Sequence, residues 1–162
     1  MRAIKVYRPP GRESPFEAFL SQQDPKLRQK LRWTLFRLAQ AERCELKEPH
    51  FKHFALERYS EFYEMREKNK ILVRVVFTFC GEDILLLAPF IKKEPRDTMR
   101  ALEQSISMLA DVREYPDYAV NYHFTEEKKQ TSRRAHCRPI RRTTSARWRN
   151  TRKTRKTNSA GR

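Results

Sequence analysis

The sequence predicts one domain in which helices flank a run of three strands, followed by a strongly basic tail. Three observations carry that expectation. Residues 62–91 contain three short runs with apolar alternation, separated by polar turns, the period-2 signature of strands. Leucines recur at helical spacing before these runs, and an apolar stripe recurs after them. Charge is split along the chain: residues 1–123 hold 22 Lys/Arg against 18 Asp/Glu, a net +4, whereas residues 124–162 hold 14 against 2, a net +12. At 162 residues there is length enough for one domain with a substantial core.

The elements follow in chain order. Ile4 and Val6 share one face of a weakly alternating start, a candidate strand that Pro9-Pro10-Gly11 stops. Ser14-Pro15-Phe16-Glu17 opens a helix, with Ser14 as cap, Pro15 at the first helical position and Glu17 completing a capping box. Phe16, Phe19 and Leu20 make its buried side. Asp24-Pro25 opens a second helix by the same logic, and Leu27, Leu31, Leu35 and Leu38 carry it to about Glu42. Both helices read as scaffold, with Arg28, Lys30, Arg32 and Arg37 on a solvated face. Residues 42–59 have no clean period and read as a connector. It holds a basic and aromatic cluster, His50, Phe51, Lys52, His53 and Phe54. A histidine titrates near neutrality and can serve as a general base; a surface or packing role is the alternative for each.

The strands span Phe62–Glu67, Ile71–Phe79 and Ile84–Ile91, joined by turns at 68–70 and 81–83. Alternation places Tyr63 and Met65 opposite Phe62, Glu64 and Arg66, and places Ile71, Val73, Val75, Phe77 and Phe79 opposite Leu72, Arg74, Val76 and Thr78. Pairing in sequence order then brings Arg66, Arg74 and Lys92 together on the sheet face away from the core. An arginine in mid-strand is costly unless something anionic or polar meets it. Glu64 across the strands is one such partner, and an anionic substrate is the other. Pro95 opens a third helix to about Val112, with Met99, Leu102, Ile106 and Leu109 as the stripe expected to cover the core face of the sheet.

A formal charge of +16 points to a partner of dense negative charge, nucleic acid or an anionic membrane. No run approaches the ~20 apolar residues of a membrane span, and the N-terminus lacks the apolar core of a signal peptide, so the expected location is the cytoplasm. Cys44, Cys80 and Cys137 are odd in number and far apart; they read as free thiols, two of them packed as small apolar groups. The ordered domain is expected to end between Tyr118 and Phe124. Beyond it the Arg-, Lys-, Thr- and Ser-rich segment is expected to be disordered. Arg147, Trp148 and Arg149 are candidates to stack on or clamp nucleic acid. Low-specificity electrostatic adhesion is the more economical account of the tail, and an incidental extension of the reading frame is a further one.

The runs Phe62-Tyr63-Glu64-Met65-Arg66, Val73-Arg74-Val75-Val76-Phe77 and Leu85-Leu86-Leu87-Ala88-Pro89-Phe90-Ile91-Lys92-Lys93 resemble consecutive strand motifs of the RelE/ParE toxin superfamily, most closely its phage-derived, HigB-like branch. The resemblance covers about residues 1–115 and leaves out the tail. It implies a small α+β fold: two N-terminal helices on a twisted, mostly antiparallel sheet, with a further helix behind it, so that 1–123 form the toxin domain and 124–162 the tail. It also implies a type II toxin–antitoxin system, an endoribonuclease acting on mRNA on the translating ribosome, and inhibition by a cognate antitoxin protein. Carried over by motif, Arg66 and Arg74 match basic residues of the active face, and Lys92 and Lys93 the basic pair after the last long strand. Three departures stand out: Glu64 where ribosome-dependent members carry lysine, Met99 near a catalytic tyrosine of some members, and Ala88-Pro89 in place of His-Gly. A proline there is expected to interrupt the strand ladder.

Cleavage by the ribose 2′-hydroxyl requires a base, neutralisation of phosphorane charge and protonation of the leaving 5′-oxygen. Arg74 suits the charge, Arg66 supports it or holds a neighbouring phosphate, and Lys92 or Lys93 donates the proton or binds the scissile group. His50 or His53 is the alternative base, and Lys52 with these histidines the flanking RNA contact. No metal and no cofactor is called for. Two other readings stand beside this one: a non-catalytic, ParE-like inhibitor of a protein target such as DNA gyrase, and a basic phage-derived nucleic-acid-binding accessory protein.

Overall fold

The computed structural model describes residues 1–124; the tail, with Cys137, Arg147, Trp148 and Arg149, lies outside the described residues. Strand β1 (Ile4–Tyr7) leads into helices α1 (Pro15–Ser21) and α2 (Pro25–Gln40). Strands β2 (Phe51–His53), β3 (Phe62–Lys68), β4 (Leu72–Cys80) and β5 (Asp83–Ile91) follow, then α3 (Pro95–Glu114) and β6 (Ala119–Asn121). The six strands form one mixed sheet in the order β2-β3-β4-β5-β1-β6. β1 runs parallel to β5, and the other pairings are antiparallel. This is the α+β fold expected from the motifs.

Both sheet faces are covered, which alternation alone had not indicated. Tyr63, Met65, Val73, Val75, Phe77, Ile84 and Leu86 point to one side and pack under Phe16 and Leu20 of α1 and Leu27, Leu31, Leu35 and Leu38 of α2. Phe62, Val76, Leu85 and Leu87 point to the other side and pack under Ala101, Leu102, Met108, Leu109 and Val112 of α3. The last helix therefore covers the face that carries Arg66 and Arg74, not the α1–α2 face. Its stripe is rotated from expectation: Leu102 and Leu109 are buried, but Met99 is 45% exposed. Tyr7 Oη donates to Asp111 at 2.7 Å, tying α3 to β1. Burial, then the hydrogen bond and charge of Asp111, raise the Tyr7 pKa to about 12.

Local details correct several expectations. Ser14 precedes α1 but its hydroxyl makes no cap hydrogen bond; Glu17 pairs with Arg8 rather than closing a capping box. The 42–59 connector contains a strand, β2. Lys30 is not merely solvated: its Nζ lies 2.9 Å from Glu67 and donates to the Lys68 carbonyl at 2.7 Å. Cys80 is half-buried against the α3 side and burial raises its thiol pKa, whereas Cys44 is exposed. In the tight β4–β5 turn Gly81 adopts φ +63°, a region where a Cβ is strained.

β5 contains the irregularity that Pro89 forecast. Between the pairs Val75–Pro89 and Phe77–Leu86, β4 supplies one residue and β5 two, the arrangement of a β-bulge. Leu87 and Ala88 consequently both contribute to the core under α3. Beyond the bulge, Phe90 sits opposite Arg74.

Candidate active site

The site is set by strand register, since directly paired residues project to the same side of a sheet. Arg66 of β3 pairs with Arg74 of β4, and Arg74 pairs with Phe90 of β5. The Arg66 N–H donates to the His50 carbonyl at 2.7 Å, extending the β2–β3 ladder by one rung. A row therefore crosses the sheet in the order His50, Arg66, Arg74, Phe90. The next row is Lys52, Glu64 and Val76.

Two cations placed directly opposite repel one another, and Glu64 answers them both. Its side chain is 2% exposed. Oε1 accepts a hydrogen bond from Arg66 Nε at 2.9 Å, and Arg74 Nε lies 3.1 Å from the same oxygen. The second approach is an ion pair without hydrogen-bond geometry, leaving the buried Arg74 Nε without a hydrogen bond. Arg66 Nη1 also donates to exposed Glu48 at 3.0 Å. Glu64 thus fixes two guanidinium stems from beneath.

Burial lowers the Arg74 pKa; the Glu64 carboxylate opposes that shift and the Arg66 charge adds to it. The Arg74 side chain is 14% exposed, so its guanidinium is partly desolvated, which strengthens its interaction with an arriving anion. Such a pair can bind the non-bridging oxygens of a phosphate and hold them as charge accumulates.

The other expected residues divide. The Lys92 N–H donates to the Leu72 carbonyl at 2.8 Å, carrying the β4–β5 ladder past Ile91. Alternation from Phe90 puts Lys92 on the Arg74 face. Lys93 is not part of that row: its backbone N–H, like that of Glu94, donates to Asp97 Oδ2, at 2.9 and 2.7 Å. These two bonds hold the Asp97 pKa below its ordinary value and fix the start of α3, whose N-terminus carries partial positive charge. Lys52 shares the Glu64 row and is exposed, its Nζ 5.8 Å from the Phe54 ring centroid.

His53 is on the wrong face to act beside Arg74. It pairs with Tyr63, their ring centroids 4.7 Å apart, and Tyr63 stacks on Phe77 on the α1–α2 side. Its Nε2 also lies 2.7 Å from the Ser60 carbonyl. Of the two histidines, His50 alone stands in the arginine row. The sequence reading missed Glu48, which reaches Arg66 from an irregular segment and leaves no periodic signal.

With this geometry in place, the comparison with known families is specific. The chain belongs to the phage-derived protein Gp49-like family, whose model matches residues 18–108. This is a RelE-like toxin-type family, and membership suggests an antitoxin partner. No curated protein and no solved structure matches the chain. Among the described residues, no helix is long and apolar enough to cross a membrane.

Proposed function

We propose that the chain is the toxin of a type II toxin–antitoxin pair, of the HigB-like branch, and that it cuts mRNA in the cytoplasm without a metal. The observation that carries this reading is the side-by-side pair Arg66 and Arg74 over one buried carboxylate, Glu64. In the proposed reaction Arg74 neutralises the phosphorane and Arg66 holds the same or the adjoining phosphate. Lys92 protonates the leaving 5′-oxygen, and His50 takes the proton of the 2′-hydroxyl. Glu64 keeps the two guanidiniums together against their repulsion. Lys52 and Lys93 flank the bound strand.

The test is induced expression of the parent and of Arg74→Ala, following growth and the 5′ ends of cellular mRNA. Growth arrest with new 5′ ends that vanish in the variant supports the reading; arrest that persists with RNA intact overturns it. The domain assignment, 1–123 as toxin and 124–162 as a tail with Arg147, Trp148 and Arg149 as accessory RNA contacts, predicts that deleting the tail leaves arrest in place. Fewer basic residues should also flatten the salt dependence of RNA binding.

One observation favours the ParE-like alternative. Both arginines already have carboxylate partners, Glu64 for each and Glu48 for Arg66, as a structural ion-pair network would. Arrest that survives Arg74→Ala is the outcome that selects an inhibitor of a protein target.

A further inference from the structure

The outer face of α2 combines two properties that α1 and α3 do not share. Its sixteen residues include Lys26, Arg28, Lys30, Arg32 and Arg37 and no acidic side chain. The rest of residues 1–123 holds 17 basic against 18 acidic side chains, so the positive excess of the domain is concentrated on this one helix. Lys30 is engaged with Glu67, but Lys26 and Arg37 are exposed. Between them stand Trp33 and Phe36, 60% and 38% exposed.

These two rings are one unit. They sit at i and i+3, neighbours on a helix surface, and meet edge to face, with centroids 6.1 Å apart and planes at 88°. An edge-to-face pair presents a fixed apolar knob rather than two parallel platforms for successive bases. Large aromatic anchors of this kind, with arginine nearby, typify the centre of a protein interface.

Charge decides which partner fits. The chain's own residues 124–162, at net +12, have the wrong sign to cover a helix of five cations. A second copy docked face to face would oppose two such helices and is disfavoured by the same repulsion. We infer that the Trp33–Phe36 knob with Lys26 and Arg37 is a docking surface for an acidic amphipathic helix of a partner protein. Its apolar stripe takes the knob and its carboxylates meet the flanking cations. Resting on the toxin reading, this partner is the antitoxin. The surface lies on the α1–α2 side of the sheet, across from Arg66 and Arg74, so it anchors the partner without itself filling the proposed active site.

The test uses the full chain and a fluorescein-labelled peptide with leucines at helical spacing and glutamates elsewhere, compared with a scrambled peptide of the same composition. Both peptides meet the basic tail equally, so the ratio of their affinities isolates the apolar contact. The expected result is at least about a tenfold preference for the amphipathic peptide, lost in Trp33→Ala/Phe36→Ala, whose exposed positions leave the fold intact, and retained in Arg74→Ala. Absence of preference in the parent, or its survival in the double variant, overturns the inference. So does a double variant that keeps the preference and loses only binding of a labelled single-stranded RNA, which marks the face as a nucleic-acid interface. Failure of the ribonuclease reading is seen separately, as unchanged mRNA 5′ ends in the parent.

Discussion

Glu64 and Glu67 stand three residues apart on β3, face opposite sides of the sheet and are both almost fully buried, at 1% and 3% exposure. Their partners separate them. Glu67 accepts from the Thr34 hydroxyl and pairs with Lys30, both on α2, so its charge latches a helix to the sheet. Glu64 meets two arginines of neighbouring strand positions, and those guanidiniums retain a path to solvent. A buried carboxylate bonded to a packed helix is accounted for by architecture. One that holds two partly exposed cations side by side presents them to an arriving anion.

Breaking each side of this contrast should have graded effects. The largest is expected from Phe77→Ala, which empties the fully buried core beside Glu67's face and should cost about 3–5 kcal/mol in chemical denaturation. Next, Glu64→Leu leaves two cations without their shared anion, at a cost of about 3 kcal/mol. Adding Arg74→Leu should recover much of that loss, since replacing both partners by apolar groups is far less costly than removing one. A double variant no more stable than Glu64→Leu would show that Glu64 acts independently of Arg74.

Smaller effects test the covering helix. Tyr7→Phe removes the hydrogen bond to Asp111 and should cost about 1 kcal/mol. Because the folded-state pKa of Tyr7 is raised, to about 12, against about 10 unfolded, its contribution is complete below pH 10 and is lost as pH rises through 12. The parent should lose stability in that alkaline window and the variant should lose less of it, as read from denaturation midpoints. Met99→Ala should change stability by less than about 0.5 kcal/mol, since Met99 is outside the α3 stripe.

The parts legible in the sequence were those with a local period. Alternation over 62–91 located three strands and put Arg66 and Arg74 on one face. Leucine spacing gave α2, and Pro15, Pro25 and Pro95 marked helix starts. What stayed hidden depended on distant partners. β2 and β6 are three residues each, too short for a periodic signal, and exist because β3 and β1 offer ladders. The parallel pairing of β1 with β5 joins segments about 80 residues apart, and no local pattern encodes it. The side His53 faces follows from its register with Tyr63, which no local pattern shows, and α3 covers the other face from the one expected because a single apolar stripe fits either side.

The bulge at Leu87–Ala88 gives chain length a chemical meaning at this site. Leu87 and Ala88 together stand against the single residue Val76, so the bulge takes up one residue of β5; a ladder paired residue for residue from Phe77–Leu86 onward would set Ala88 against Val75 and turn Phe90 and Lys92 toward α1 and α2 while leaving Arg74 where it is. No cation would be removed and the composition would not change, but the proposed proton donor would be delivered to the far side of the sheet. One backbone unit therefore acts as an address for everything after it in β5: deleting Ala88 should keep Phe90 opposite Arg74 by restoring a regular ladder, whereas losing the bulge at unchanged chain length should disable the row.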